Sequence, residues 1–140
     1  ETKETDPHTI AGTFKLWLRE MPEPLIPSDH YDAFIELADD INAGTLELVD
    51  AKRSHLRDAL SALPAVNRNT LGITLDLLHE THLHEKENKM GLRNLAVVFS
   101  PPLTGVDRDM GRMMSDSAKA SLLVQLLIKH HATLFDGLVD

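Results

Sequence analysis

The end of a predicted helix is followed directly by a connector that begins and ends with proline, in residues 14–27, FKLWLREMPEPLIP. At about 100° per residue, one side of this helix is apolar and is expected to face the core. That side carries Ile10, Phe14, Trp17, Leu18 and Met21. Lys15 and Arg19 lie one turn apart on a different face, which predicts that both cations are exposed. Pro22 and Pro24 end the helix, because proline has no backbone N–H and disfavours helical dihedral angles in the residue before it.

The remaining apolar spacing is helical, with breaks at proline, glycine and polar residues. Further helices are predicted from Ser28 or Asp29 to about Ile41, from Asp50 to Leu63, from Thr70 to about Glu85, from about Met90 to Phe99, and from Asp116 or Ser117 to about Phe135. Residues 100–102, Ser-Pro-Pro, are expected to end the Met90 helix. Segment 103–117 carries two glycines and mixed charge and is predicted to be a mobile loop, in which Arg108 and Arg112 could reach a neighbouring element. Without strand-like alternation or an internal repeat, the sequence predicts an all-α fold, a single helical domain of about six helices.

The sequence also predicts the residues that begin two of these helices and the helix that lies at the centre of the fold. Asn67 or Asn69 is expected to open the helix that begins at Thr70, and Asn88 is expected to cap the next helix. The Thr70 helix carries apolar residues on more than one face, Ile73 among them, so this helix is expected to be central.

The charge and the composition exclude several classes of function. The 140 residues carry a net charge of −8, from 22 acidic and 14 basic side chains. An acidic chain without a mixed basic and aromatic run is a poor candidate for a nucleic-acid backbone, so no nucleic-acid partner is predicted. Cysteine is absent, which excludes a thiol nucleophile, a disulfide framework and cysteine metal ligands. No apolar run approaches the ~20 residues that span a bilayer, so no direct membrane insertion is expected.

His79, His82 and His84 lie with Glu80 and Glu85 near the end of a predicted helix. The first two histidines are three residues apart, whereas the zinc-protease motif places its second histidine at the fourth position. Solvent-exposed histidines at a helix end are therefore the favoured interpretation, with no metal and no cofactor. A metal-dependent hydrolase that uses the three histidines remains a rival interpretation.

The residues alone leave the role of three polar side chains open. Two basic residues on an exposed helix face, such as Lys15 and Arg19, are most often simply solvated. Asn94 interrupts an otherwise apolar helix, where a lone amide must find hydrogen bonds or reach the surface. It could tie down a neighbouring loop, or it could present its amide to a partner.

Three motifs occur in the order FKLWLREMPEPLIP, LPAVNRNTL at 63–71 and ENKMGLRNLAVVFSPPL at 87–103. Together, from about His8 to about Leu103, they resemble the Rho GTPase-activating (RhoGAP) domain. The resemblance implies an all-helical domain that binds the switch regions of a Rho-, Rac- or Cdc42-type small GTPase in its GTP-bound state. It also implies signal transduction and a cytoplasmic location, with any membrane recruitment coming from other domains of the parent protein.

Lys15, Arg19, Asn94 and Pro101 occupy the positions that the resemblance assigns to the GTPase-binding face. In the family, an arginine finger in an upstream glycine–aliphatic–aromatic–arginine segment stabilises charge during GTP hydrolysis and is worth roughly 10³–10⁵ in rate. No such segment occurs here, so residues 1–140 resemble the later part of a RhoGAP domain, without a catalytic arginine. The expected function is a GTPase activator in the intact protein and not an enzyme. The alternative is a non-catalytic GTPase-binding module of the same fold.

Overall fold

A computed structural model describes residues 16–18, 20–88 and 91–138. Within these ranges the chain is built from helices and contains no β-strand, so the predicted all-α fold is confirmed. The α-helices are α1 (Ser28–Glu36), α2 (Asp50–Ala62), α3 (Ala65–Leu83), α4 (Glu85–Asn88), α5 (Leu92–Thr104) and α6 (Met110–Leu134), and a 3-10 helix (Val106–Arg108) lies between the last two. None of these described helices has the length and apolar content that a bilayer crossing requires.

Helix α6 is the centre of the packing, because it contacts α1, α2, α3, α5 and the 3-10 helix. One of its faces is fully buried. That face carries Ala120, Leu123, Val124, Leu127 and Ile128. Each buried leucine or isoleucine contributes about 1.5–3 kcal/mol relative to an exposed one. The helix begins at Met110, earlier than predicted, because the Asp109 side chain accepts a hydrogen bond from the Arg112 backbone N–H at 3.2 Å and caps the first turn.

Helix α3 begins at Ala65, directly after Pro64 and earlier than predicted. The Pro64 carbonyl accepts a hydrogen bond from the Arg68 backbone N–H at 2.9 Å, so the proline lies at the helix boundary, where its missing donor costs nothing. Asn67 does not open the helix, because it lies in the first turn and its Nδ2 donates to the Leu25 carbonyl at 3.1 Å.

The packing of α3 is one-sided. Leu71, Leu75 and Leu78 are fully buried, but Ile73 is 63% exposed. The expectation that α3 is buried on more than one face is therefore wrong at Ile73. Helix α3 contacts α5 and α6, and α6 takes the central place that the sequence predicted for α3.

Helix α5 continues through Pro101 and Pro102 to Thr104, although the prediction ended it before them. Each proline removes only its own N–H donor, and the helical bonding resumes after them, because the Gly105 backbone N–H donates to the Pro101 carbonyl at 2.7 Å. The Thr104 hydroxyl donates to the Ser100 carbonyl at 2.6 Å and supports this last turn. Gly105 then ends the helix with a φ of 74°, a left-handed conformation that glycine adopts without strain.

Three other boundaries differ from the prediction. Gly91 is the N-cap of α5, and Asn88 instead ends α4. Helix α1 ends at Glu36 and is shorter than predicted. Segment 103–117 contains the end of α5, the 3-10 helix and the start of α6, so the prediction of a loop is wrong. Val106, 2% exposed, anchors this segment in the core.

The segment between α1 and α2, residues 37–49, is held in place by α6. Lys129 Nζ donates to the Thr45 carbonyl at 2.8 Å. His130 Nε2 lies 2.9 Å from the Leu46 carbonyl. Leu46 has a φ of 53°, which is uncommon for a residue with a side chain and requires support from its surroundings. Helix α6 supplies that support.

Candidate functional site

The connector, residues 22–27, lies against the C-terminal end of α5. The Ile26 backbone N–H donates to the Leu103 carbonyl at 2.9 Å. Leu25 and Ile26 are buried, at 1% and 0% exposure. No residue is helical between Leu18 and the start of α1 in the described chain, so the predicted end of the first helix before the prolines is confirmed.

The last described residues of the preceding helix have unequal burial. Leu18 is fully buried, whereas Trp17 is 50% exposed, so the prediction that Trp17 faces the core is wrong. Neighbouring helical residues point about 100° apart, and burial of Leu18 turns Trp17 towards the edge of the packed face. Met21 is partly buried against the core, as predicted. Ile10 and Phe14, which the prediction put on the same side, lie outside the described residues.

Two of the four residues predicted for the GTPase-binding face lie on α5, and the structure brings them onto one side of it. Asn94 is exposed and Pro101 is partly exposed, seven residues or about two turns apart. Val97 lies between them on the same side and is 59% exposed. We call these three residues the α5 stripe. Lys15 and Arg19 lie outside the described residues.

Sequence reasoning missed Val97 because α5 is apolar almost all round. The available signal is its spacing, three residues after Asn94 and four before Pro101. Pro101 also changes the backbone hydrogen bonding beside Val97. Pro101 has no N–H, so the Val97 carbonyl lacks its usual helical donor four residues later. The stripe therefore offers a side-chain amide and an apolar contact.

A groove of about 680 Å³ opens between α5 and α6 beside Val97 and Pro101. Met113, 42% exposed, lies on its α6 side. Arg93 and Asp107 place one charge of each sign around it. The groove extends the α5 stripe towards α6 as a mostly apolar surface with a few polar groups.

Both arginines that the sequence placed in a loop contact neighbouring elements. Arg108 donates from Nη1 to the Pro22 carbonyl at 2.7 Å and from Nη2 to the Met21 carbonyl at 3.1 Å. The Arg112 guanidinium lies 4.1 Å from the centre of the Tyr31 ring, a cation–π distance. Arg108 therefore joins the connector to the 3-10 helix, and Arg112 joins α6 to α1.

Two of the three histidines near the end of α3 form a cluster with α6. The ring centres of His79 and His131 are 4.6 Å apart, and those of His79 and His82 are 5.4 Å apart. His131 Nε2 lies 3.1 Å from Asp76 Oδ1. His79 and His82 are partly buried, so the prediction of solvent-exposed side chains is wrong for both, while His84 is exposed. The cluster arises because α3 and α6 pack side by side.

The geometry gives the metal-dependent hydrolase no support. Among the described residues, no group of three histidine, aspartate or glutamate side chains is placed to hold one metal ion. Burial lowers the pKa of His82, the neighbouring His79 lowers it further, and Glu85 raises it by a smaller amount. The cluster therefore favours an uncharged His82.

Comparison with known proteins agrees with the fold and the motifs. A family model described as the RhoGAP domain matches residues 1–107. The chain is 38% identical over 136 residues to Rho GTPase-activating protein 22 of Mus musculus, covering 94% of this chain and 18% of that protein. It is 37% identical over 131 residues to N-chimaerin of Homo sapiens, covering 93% of this chain and 27% of that protein. The chain thus spans less than a third of the length of these two relatives.

Two solved structures share the fold. Human Rho GTPase activating protein 15 superposes with a TM-score of 0.79 at 23% identity, covering 96% of this chain and 61% of that chain. The BH domain from GRAF, the GTPase regulator associated with focal adhesion kinase, gives a TM-score of 0.73 at 27% identity, covering 90% of this chain and 64% of that chain. The helical arrangement described above is therefore one that solved structures also adopt.

Proposed function

The chain belongs to the RhoGAP family, and we propose that it binds a Rho-family small GTPase of the Rho, Rac or Cdc42 type in its GTP-bound state. The protein that carries it stimulates hydrolysis of the bound GTP. It is an activator and not an enzyme, because the nucleotide and the attacking water belong to the GTPase. A cytoplasmic location, with membrane recruitment by other domains of the parent protein, is part of the same proposal.

The exposed Asn94 side chain is the observation that supports this proposal best. A lone amide in an apolar helix is either tied to its own fold or presented outwards, and Asn94 is exposed on α5. Val97 beside it adds an apolar surface that is 59% exposed. An amide with an adjoining apolar contact suits a protein partner, because the amide fixes orientation and the apolar area adds affinity.

Lys15 and Arg19 are assigned to the same binding face. Cations close to a binding site increase the rate of encounter with a negatively charged surface. Their charge-assisted hydrogen bonds then hold the bound partner in register. The connector that follows Arg19 lies against the end of α5, and this contact supports placing both segments in one site.

The arginine finger, in this proposal, is not among the arginines of this chain. A finger must be free to enter the nucleotide site of the partner. Arg57, Arg68 and Arg108 instead donate side-chain N–H groups to backbone carbonyls. Arg53 forms an ion pair within its own helix, and Arg112 lies over an aromatic ring. These contacts occupy five of the described arginines and support the proposal that none of the five is the finger.

Equilibrium binding tests the proposed partner. Rho, Rac and Cdc42, each loaded with GDP or with a non-hydrolysable GTP analogue, are titrated with the chain. We expect at least one GTP-analogue complex to bind more tightly than its GDP form. Asn94→Ala should weaken that binding by roughly tenfold, the equivalent of one hydrogen bond to a charged group. Ser54→Ala, at an exposed polar position on α2, serves as the control.

Single-turnover GTP hydrolysis separates an activator from the non-catalytic alternative. The measurement uses the GTPase that binds best, mixed either with this chain or with the full-length parent protein. Acceleration by the parent protein is the expected result. Binding without acceleration by the parent protein would identify a non-catalytic module of the same fold.

A further inference from the structure

We propose that Arg108 is a positioning residue for GTPase binding, because it fixes the chain immediately after Arg19 against the end of α5. The inference rests on the proposed function and adds to it a residue outside the α5 stripe. Arg108 lies in the 3-10 helix that follows α5, far along the sequence from the residues that it contacts.

The guanidinium of Arg108 forms a bidentate contact with the backbone. Arg108 Nη1 donates to the Pro22 carbonyl at 2.7 Å, and Nη2 donates to the Met21 carbonyl at 3.1 Å. The planar guanidinium presents its donors in a fixed geometry, so binding two consecutive carbonyls sets direction as well as distance. Carbonyls at the end of a helix lack intrahelical donors. Arg108 supplies a donor to each of the two carbonyls.

The rest of the connector is held by other groups. The Ile26 backbone N–H donates to the Leu103 carbonyl, and the Asn67 amide donates to the Leu25 carbonyl. Both contacts lie in the second half of the connector. Arg108 holds Met21 and Pro22, which lie two and three residues after Arg19. Removal of Arg108 would therefore leave the connector attached at its far end and loosen the part nearest to Arg19.

The position of this segment matters because the proposed site is divided between two elements. Lys15 and Arg19 precede the connector, whereas Asn94 and Pro101 lie on α5. A partner that contacts both groups at once requires a fixed spacing between them, and a loosening of about 1 Å is enough to weaken such a site. Through its bonds to Met21 and Pro22, Arg108 sets that spacing on the connector side.

The test compares Arg108→Ala with a matched control. Arg57 also donates from its guanidinium to two consecutive carbonyls, those of Thr133 and Leu134, at 2.9 and 3.3 Å. Arg57→Ala therefore removes a similar pair of hydrogen bonds at the end of α6 without touching the connector. Affinities for the GTP-analogue form of the best-binding GTPase are measured for both variants, with thermal melts. We expect Arg108→Ala to bind roughly tenfold more weakly and Arg57→Ala to bind like the unmodified chain.

Two further variants separate positioning from a general loss of stability. Arg108→Lys keeps one donor group and should recover part of the lost affinity. In an Arg19→Ala background, Arg108→Ala should cost much less affinity than it does alone, because its effect acts through the segment that carries Arg19. A uniform loss of stability would produce additive effects in this double-mutant cycle.

The outcomes distinguish the two proposals. If the unmodified chain binds none of the three GTPases, the proposed function fails, and the role of Arg108 fails with it. If the chain binds but Arg108→Ala binds equally well, only the positioning role is overturned. Equal losses in Arg108→Ala and Arg57→Ala, or full additivity with Arg19→Ala, also overturn the positioning role.

Discussion

Tyr31 donates its hydroxyl hydrogen bond to Asp116 Oδ2 at 2.9 Å and thereby joins α1 to the beginning of α6. The Tyr31 side chain is 1% exposed. Burial raises the pKa of the Tyr31 hydroxyl well above its ordinary value, and the hydrogen bond to Asp116 raises it further. The tyrosine therefore remains a neutral donor to a carboxylate acceptor.

Tyr31→Phe should lower the free energy of unfolding by about 1–2 kcal/mol, because the Asp116 carboxylate loses a donor while the ring packing is kept. Urea unfolding followed by circular dichroism measures the change. Tyr31→Phe combined with Asp116→Ala serves as the control, since the two losses should not add if they remove the same bond. Fully additive losses would show that the bond contributes little.

Leu18→Ala should be more destabilising than Trp17→Ala, which reverses the order that residue size suggests. Leu18 is fully buried, and its truncation should cost about 2–5 kcal/mol through lost contacts and a cavity. Trp17 is 50% exposed, so its truncation leaves a smaller cavity. Urea unfolding followed by circular dichroism compares the two variants. The wavelength of tryptophan emission gives a second measurement, because Trp17 is the only tryptophan, and an emission typical of a fully buried indole would contradict this placement.

Acidification should destabilise the fold through His82. Its pKa is lowered from the ordinary value of 6.5, so the unfolded chain binds a proton more readily than the folded chain. The stability contributed by the neutral form is complete above pH 6.5 and is lost as the pH falls towards the lowered pKa. His79 lies against His82 on α3 and Glu85 supplies the nearby negative charge, while His131 of α6 lies against His79 and contacts Asp76.

The measurement is the free energy of unfolding between about pH 7.5 and pH 5, in the window that the ordinary histidine pKa defines. His82→Gln should flatten the slope in that window. His84→Gln is the control, because His84 is exposed at the end of the same helix. An unchanged slope in His82→Gln would assign the acid sensitivity to another group.

Gly105→Ala should destabilise the chain more than Gly137→Ala. Both glycines have a positive φ, 74° and 78°, so both substitutions carry the strain of a left-handed backbone, about 1–2 kcal/mol. A Cβ at position 105 would lie 2.8 Å from Pro24 Cγ, whereas a Cβ at position 137 would meet nothing within 4 Å. The difference in unfolding free energy between the two variants measures the contact between α5 and the connector. Equal losses would show that the connector moves aside without cost.

Much of the fold could be predicted from the sequence because helical spacing of apolar residues survives without tertiary information. Helix α2 ends at Ala62, close to the predicted end, since Pro64 follows. Helix α5 could not be bounded correctly, because its passage through Pro101 depends on Thr104 and Gly105, which form the last turn and its end. The exposure of Trp17 could not be predicted, because a helical wheel gives the direction of a side chain but not how much of it the neighbouring helices cover.

The candidate site could be predicted only in part for a similar reason. Asn94 and Pro101 were found through a resemblance in sequence, but their common exposure on α5 with Val97 is a property of the packing. The contact of Arg108 with the connector could not be predicted, because 86 residues separate Arg108 from Pro22 and no local pattern connects them.

Pro101 sets the stability of α5 against the binding role that is proposed for this residue. Pro101 leaves the Val97 carbonyl without its intrahelical donor, so this part of α5 is held by one backbone hydrogen bond fewer. A residue with a backbone N–H at position 101 would close the helical ladder and consume this acceptor, whatever its side chain. If the proposed GTPase contact uses Pro101, selection for a more stable helix and selection for binding would then act on this one position in opposite directions.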